Sequence, residues 1–515
     1  MVQMQRRLSL FSLVMAVVTS TIGSGWLFAP YLTAQLAGPA SLFSWLAGGA
    51  MAFLIALVFA ELGALVSSSG ALAQIPLLTH GRTSGFVGGW AAWLGYVALP
   101  AIEVLATVQY LGSSLPWLIR GGGSAGLSNW GIGLASLLLL LFGWINLAGV
   151  AALARWIDGL TVWKLLVPLG VSLVLILGSA HGGNLQVGGY QARGVLDALS
   201  TGGILFSLLG FRTAMDLAGE AKNPQRDVPL AMGIGLAISL LIYLLLQLAF
   251  LLAVPPPLLV QGWGRLQLTA HGGPLVAVAL GLGLSGLATL LITDAVVSPS
   301  ATAMAYMGTA ARVNWMLARC RLLPAPFSHI NRAGVPSVAL AATVLIGLVL
   351  LQGGPSWPKA VGFVTAALVI SLAMGPISLE ALRRQAPTVH RPYRLPAAPW
   401  LCPLAFVLST WAIFWCGWGS LQLAVPLILL PSLGYLLVCG AGGVEFRAGA
   451  WWFLYLGGIT FASYLFGSGR PYELDQGSQL FLLSVFALLV FPMAVNSRLP
   501  QLSPHAMVEL GGQQP

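Results

Sequence analysis

Long apolar runs separated by short polar interruptions set the architecture of this 515-residue chain. Read with a window of about 20 residues, the length of helix that crosses a hydrocarbon core, the hydropathy predicts fourteen segments. They lie at roughly 8–36, 39–66, 84–118, 131–151, 159–179, 198–219, 229–254, 275–305, 337–353, 359–381, 398–419, 422–440, 450–468 and 478–497. The first continues past residue 30 towards the second without an A-x-A cleavage pattern, so it reads as a retained helix and not a signal peptide. Two runs are interrupted from within. The first carries Gly23-Ser24-Gly25 inside TSTIGSGWLFAP, although each glycine costs a helix about 1 kcal/mol relative to alanine. The sixth, GGILFSLLGFRTAMDLAGE, has a matching weak point around Phe206 to Phe211. A broken helix leaves main-chain N–H and C=O groups without partners in hydrocarbon, so a break persists only where protein, water or a ligand satisfies them. If segments one to five and six to ten form two halves, these breaks occupy corresponding places, the pattern of a transporter binding site near mid-membrane. The amino end of a half-helix offers N–H groups to a carboxylate and the opposing carbonyls accept from an ammonium. A small zwitterion such as an amino acid fits both. The competing reading is that Gly23 and Gly25 only permit close helix packing.

Composition changes the picture in one respect, the solvent. With 58% hydrophobic residues, 7% charged and a mean hydropathy of +0.89, the chain is an all-α polytopic membrane protein and not a soluble domain. With the amino terminus placed in the cytoplasm, sixteen of the 23 Lys and Arg residues fall on that side and five on the other. That asymmetry predicts an even number of spans with both termini cytoplasmic. It also explains the net charge of +10 by topology and contact with the lipid bilayer, with no call for nucleic acid. The four cysteines show no paired spacing that would suggest disulfides or a metal site. His80, His181, His271, His329 and His390 fall in predicted loops and His505 in the tail, without metal-ligand spacing. Nothing in the sequence fixes an oligomeric state.

Four stretches, in order, carry a family resemblance. TIGSGWLFAP resembles the first-helix motif of the amino acid-polyamine-organocation (APC) superfamily, and GFRTAMDLAGEAKNPQRDVP its sixth helix and following loop. ARVNWMLARCRLLPAPFSHINRAGVP resembles its eighth-to-ninth loop, and PISLEALRRQAPTVHRPYRLP the loop after helix ten. The resemblance implies a LeuT-like 5+5 inverted repeat over residues 8–381, with repeats at 8–179 and 198–381. Four additional helices would follow at 398–497, and then a cytoplasmic tail at 498–515. It further implies that the substrate carboxylate meets Gly23, Ser24 and Gly25, that the ammonium meets carbonyls of Thr21, Phe206 and Leu209, that Gly210 sets the register, and that Phe206 acts as an aromatic lid. The segments GFRTAMDLAGEAKNP and TDAVVSPSATAMAY look like a branch that includes aspartate-proton symporters.

Charges within the spans are costly, about 2.5 to 3.5 kcal/mol at a helix centre, and so need a reason. Glu103 is the deepest, a candidate proton carrier or a partner of Arg212. Lys164 lies about six residues into the fifth span, roughly 9 Å deep, and can either snorkel to the cytoplasm or act in coupling. Proton-coupled members of the resembling family carry a lysine on helix five whose ammonium replaces the second sodium ion of sodium-coupled relatives, which makes protons the expected coupling ion, with no other cofactor. Arg212 departs from the acidic or polar residue common after Gly-Phe in the family. It can pair with Asp216 at i+4 or present its fork to a substrate side-chain carboxylate. Asp294, expected toward the cytoplasmic half of span eight, could contact Lys164. Glu61 and Glu220 read as interface residues at helix ends. Phe206, Asp216, Lys222, Arg226 and Asp227 are gating candidates, the last three in the connector KNPQRDVP.

The expected function is a proton-coupled symporter that imports amino acids by alternating access, acidic ones such as aspartate or glutamate included. The alternatives are a neutral or broad-specificity permease or exchanger, a channel, and an intramembrane enzyme. GGSAG at 122–126 matches G-x-S-x-G and GLGLSG at 281–286 matches G-x-G-x-x-G, but both lack the strand-turn-helix setting that gives such motifs their chemistry.

Overall fold

A computed structural model describes residues 6–112, 114–120, 126–188, 192–268, 273–352, 357–439 and 443–502, with backbone alone at 150–158 and 192. His271, His505, the tail beyond 502 and all of the 122–126 motif except Gly126 lie outside the described residues. In chain order the helices are α1 (Leu10–Thr21), α2 (Gly25–Ala37), α3 (Ser41–Leu65), α4 (Ala71–Leu111), α5 (Asn129–Asn146), α6 (Val150–Ser179), α7 (Ala192–Ser200), α8 (Ile204–Leu208), α9 (Thr213–Asp216) and α10 (Pro224–Ala253). They continue as α11 (Pro274–Gly281), α12 (Ser285–Arg319), α13 (Ser337–Gln352), α14 (Trp357–Gln385), α15 (Ala398–Trp415), α16 (Gly417–Cys439), α17 (Gly443–Gly449), α18 (Trp451–Phe466) and α19 (Gln476–Asn496). Each of the fourteen apolar runs coincides with helix. Among the described residues ten helical stretches are long and apolar enough to cross a membrane, eleven if the bent pair at 193–216 counts as one span. In that count Gly25–Leu65 is one stretch, and α1 and α13 are shorter apolar helices. The only β pairings among the described residues are two isolated bridges, Leu8 with Ala221 and Ile119 with Leu127.

Both predicted interruptions exist. At the first, Ile22 leaves the helical region (φ −91°, ψ 86°) and α2 restarts at Gly25. The second differs from the expected single break at 206–211. The chain bends by 54° between 193–200 and 204–216, at Gly203, whose φ of 84° is a left-handed conformation that suits glycine. It then tightens into a 3-10 turn at Leu209–Arg212, so Phe206 sits inside the short helix α8 and not at the break itself. Two span limits also move. α4 begins at Ala71, kinks at Gly81 and ends at Leu111 instead of 118, because Pro116 opens a separate 3-10 turn. The eighth run is two helices, with Gly283 (φ 73°) in the turn between α11 and α12. GLGLSG therefore spans a helix-helix junction and not the interior of one span. Since α12 continues to Arg319 instead of ending near 305, Asp294 lies in the first third of the helix and not toward its carboxyl-terminal end.

The buried α4 packs against α12 and α14, and α10 packs against α1, α3 and α6. α15 and α16 lie against α14, while α18 and α19 pack mainly on α15 and α16. Aromatic contacts fasten this outer group, among them Phe406 of α15 stacked on Tyr455 of α18 at 4.8 Å and Trp418 of α16 against Tyr464 of α18 at 4.9 Å.

Candidate substrate and coupling site

The two interruptions meet. Gly210, in the 3-10 turn, lies so close to α1 that a Cβ there would stand 2.6 Å from the Thr21 amide nitrogen and 2.7 Å from the Ser20 carbonyl carbon. Gly25 abuts the Ser207 hydroxyl of α8, and a Cβ on Gly23 would stand 2.7 Å from Glu103 Oε1. At Gly210 main chain leaves no room for a Cβ, whereas at Gly23 and Gly25 the neighbours are the Glu103 and Ser207 side chains, which would have to shift to admit one.

Carbonyls at the end of α1, orphaned by the break, find side-chain donors from other helices. The Lys164 ammonium of α6, fully buried, donates to Thr19 O at 2.8 Å, to Thr19 Oγ1 at 3.2 Å and to Thr302 Oγ1 of α12 at 2.6 Å. The Thr302 hydroxyl lies 2.8 Å from Thr19 O and 3.3 Å from Ile22 O as donor. Tyr306 donates to Ser20 O at 2.6 Å and Tyr243 to Thr21 O at 2.8 Å. On the far side, the Ser24 N–H donates to Glu103 Oε2 at 2.7 Å and the Trp357 indole donates to Ser24 Oγ at 2.9 Å. Trp357 also stacks on Phe28 (4.7 Å) and meets Phe206 edge-on (5.9 Å). Phe206 therefore lies beside the first break, packed against an aromatic residue from α14.

Arg212 is buried, and its surroundings correct the expected pairings. It makes an ion pair with neither Asp216 nor Glu103. Nε donates to Leu209 O at 3.2 Å, while Nη1 lies 3.4 Å from Leu368 O and 3.5 Å from Ser371 Oγ, both acceptors on α14. The guanidinium sits over the Tyr96 ring, 4.7 Å from its centroid, and the Tyr96 hydroxyl donates to Asp216 Oδ2 at 2.5 Å. Arg212 Nη2 and Asp216 Oδ1 are buried without hydrogen-bond partners. Asp294 accepts from Trp163 Nε1 at 2.7 Å and from Ser298 Oγ at 2.9 Å; its expected contact with Lys164 is not formed. The Lys164 ammonium does not snorkel.

A helical core with two opposed breaks, lined by buried ions, is the architecture of a carrier. The family model described as amino acid permease matches residues 8–438. The chain belongs to the amino acid permease family. This permease is 32% identical to the glutamate/serine transporter AimA of Bacillus subtilis (strain 168) over 96% of its own length and 94% of the relative's. It is 33% identical to the aspartate-proton symporter of the same organism, over 96% of its own length and 97% of the relative's. Among solved structures it is similar to a manganese transporter from Eremococcus coleocola (TM-score 0.52, 14% identity, 87% of this chain and 96% of that one). It is also similar to Mhp1, a nucleobase-cation-symport-1 family transporter (TM-score 0.52, 13% identity, 93% and 98%). At these identities the structural likeness shows the fold alone, which is the LeuT-like one. The permease is a multi-pass membrane transport protein and not an enzyme.

The remaining expected residues fall at one end of the permease. Glu61 and Glu220, read as interface residues, are instead buried in ion pairs. Glu61 Oε2 lies 2.5 Å from Arg383 Nη2, Glu61 Oε1 lies 3.1 Å from Arg391 Nε, and Glu220 Oε1 lies 2.5 Å from Arg312 Nε. Lys222, Arg226 and Asp227 form no ion pair with one another; Lys222 and Arg226 are exposed and Asp227 is buried. His80, expected in a loop, is buried in α4 and contacts Ala494 O at 3.0 Å. Sequence reasoning missed Thr302, Tyr96, Tyr243, Tyr306, Trp357 and Ser371. For the tyrosines and Trp357 a signal existed: a phenol or indole buried in an apolar helix needs a polar partner.

Proposed function

We propose that this permease is a proton-coupled symporter that imports amino acids by alternating access, acidic ones among its substrates. The observation that carries the proposal is the Lys164 ammonium bridging the end of α1 to Thr302 of α12. A cation there stabilises the contact between a broken helix of the first half and a helix of the second, and its loss or return as a proton moves would bias that contact. Such a bias shifts the population of outward and inward forms only through the difference in contacts between them.

The substrate carboxylate would take the amides at Gly23, Ser24 and Gly25, and the ammonium the carbonyls of Thr21, Phe206 and Leu209. Glu103 now holds the Ser24 amide. A proton on Glu103 would neutralise it and free that amide for the incoming carboxylate, linking proton uptake to binding. Asp294, bonded to Trp163 beside Lys164 in the chain, belongs to the same coupling group in this reading. Arg212 supports recognition of a side-chain carboxylate, because its partnerless Nη2 is a buried donor beside the second break. The relatives named for glutamate and for aspartate with protons support acidic substrates, and the serine in one name supports a broader range. In this reading the repeats span 8–179 and 198–381, four further spans follow at 398–497 for fourteen in all, both termini are cytoplasmic, and Phe206 and Asp216 move with the gate.

Uptake of twenty labelled amino acids into proteoliposomes, with and without an imposed pH gradient, tests the proposal. Saturable uptake of aspartate or glutamate, driven uphill by an inward proton gradient, is expected. Unsaturable flux, or uptake indifferent to the gradient, would reject it.

A further inference from the structure

We propose that the cavity beside the start of α10 binds the phosphate headgroup of an anionic phospholipid, with an acyl chain of the same lipid lying in the groove between α3 and α10. The cavity, about 870 Å³, is lined by Arg6, Lys222, Arg226 and His390, and no Asp or Glu is among its lining residues. Among the described residues Arg6, Lys222 and Arg226 form no ion pair; of the carboxylates nearby, Glu61 and Glu220 are already bound by Arg383, Arg391 and Arg312, and Asp227, next to Arg226 in α10, is buried and in no ion pair. Three uncompensated cations around one hollow favour an anion. The backbone holds two of them side by side: the Lys222 amide donates to Leu8 O, and the Arg7 and Leu8 amides to Glu220 O, each at 2.9 Å.

A second, smaller groove of about 460 Å³ shares Gln225, Arg226 and Pro392 with this cavity and is otherwise lined by Leu57, Ala60, Pro229, Leu230 and Tyr393. Leu57 and Leu230 are each 39% exposed on the outer surface of helices that cross the membrane. At 1.5 Å per residue they lie roughly 9 to 12 Å in from the ends of α10 and α3. A charged cup at the helix ends opening onto an apolar channel one to two turns deeper matches the layout of a phospholipid. Free phosphate would fill the cup and leave the groove unused, so the groove assigns the phosphate to a lipid. Basic pockets between membrane helices recognise anionic headgroups in this way. The bound lipid would tie the amino-terminal segment to the α9–α10 and α14–α15 connections, next to the Glu61 and Glu220 ion pairs.

Native mass spectrometry of the full-length protein, released from nanodiscs of mixed phosphatidylglycerol and phosphatidylcholine, tests this. Wild-type protein should retain phosphatidylglycerol in preference to phosphatidylcholine. The Lys222→Gln/Arg226→Gln variant, altered only at exposed positions, should retain it roughly 25-fold less well, at about fivefold per cation. Leu230→Trp, which leaves the cations and obstructs the groove, should also weaken retention, and excess inorganic phosphate should not displace the lipid. Equal retention by the double variant, no headgroup preference, or full retention in Leu230→Trp would overturn the proposal. Displacement by phosphate would overturn the lipid assignment and give the cup to free phosphate. Retained lipid is counted without regard to transport, so a negative result here is distinct from failure of the symport reading.

Discussion

Adding one methyl group to Gly210 tests whether the two breaks form a single site. In Gly210→Ala the new Cβ would stand 2.6 Å from the Thr21 amide nitrogen, and relief to 3.4 Å requires the backbones to part by about 0.8 Å. The Thr21 amide nitrogen and the Ser20 carbonyl carbon are main chain and cannot yield as a side-chain end could, and the Thr21 hydroxyl, closer still, would have to turn away as well. Overpacking of this kind costs about 1–3 kcal/mol. That cost falls on every state in which the turn at Leu209–Arg212 touches α1, which corresponds to a factor of roughly 5 to 150 in the population of the substrate-competent form. The same parting would stretch the Tyr243 bond to Thr21 O, now 2.8 Å, and the Tyr306 bond to Ser20 O, now 2.6 Å. KM for the transported amino acid in proteoliposomes should rise within that range. Gly233→Ala on α10 is the control, since a Cβ there meets nothing within 4 Å, and it should transport as wild type. A Gly210→Ala protein with KM within about twofold of wild type, or a Gly233→Ala protein impaired as severely, would refute the reasoning.

Three further outcomes are expected. Lys164→Ala should abolish uphill, pH-gradient-driven accumulation while preserving some exchange across the membrane; full pH-dependent accumulation would reject its coupling role. Arg212→Ala should raise KM for aspartate or glutamate roughly 10- to 150-fold, the worth of a hydrogen bond to a charged group, with a much smaller effect on alanine, and equal effects would reject side-chain recognition. Glu220→Ala strands the Arg312 guanidinium, which is nearly buried (8% side-chain exposure), and should cost about 3–5 kcal/mol. The loss should show as a lower thermal unfolding temperature in detergent, recovered in large part by Arg312→Leu in the same chain.

The break at Gly23-Ser24-Gly25 was legible because a second weak point occupies the corresponding place in the sixth run, and Lys164 because an ammonium within hydrocarbon needs a reason. The partners of Arg212 were not legible, and the cause is local geometry. The expected pairing with Asp216 assumes an uninterrupted α-helix, in which i and i+4 lie on one face. Thr213–Asp216 are helical, but the Arg212 guanidinium turns to Leu209 O in the 3-10 turn before it and to Leu368 O and Ser371 Oγ of α14, and Tyr96 of α4 bridges the two residues instead. Thr302 was hidden for a different reason. Hydroxyls in membrane helices commonly bond the carbonyl four residues back, as Thr33, Ser172, Ser239 and Thr343 do here. Thr302 has that carbonyl within 3.2 Å too, from Ser298, and nothing along the chain marks that its hydroxyl also reaches Thr19 O on another helix.

The end of the first break is therefore saturated by the protein's own side chains: Thr19, Ser20, Thr21 and Ile22 each have a donor at their carbonyl, and Ser24 has an acceptor at its amide. A carbonyl oxygen has two lone pairs, so Thr21 O can accept a substrate ammonium while Tyr243 stays. The Ser24 amide has one hydrogen and cannot hold Glu103 and a substrate carboxylate at full strength together. The two ends of the site consequently differ in kind. In the proposed reading ammonium capture would add to the existing bonds, whereas carboxylate capture at Ser24 would have to displace one, which would put the step that links binding to a proton at Glu103, where a charge has to leave before another can arrive.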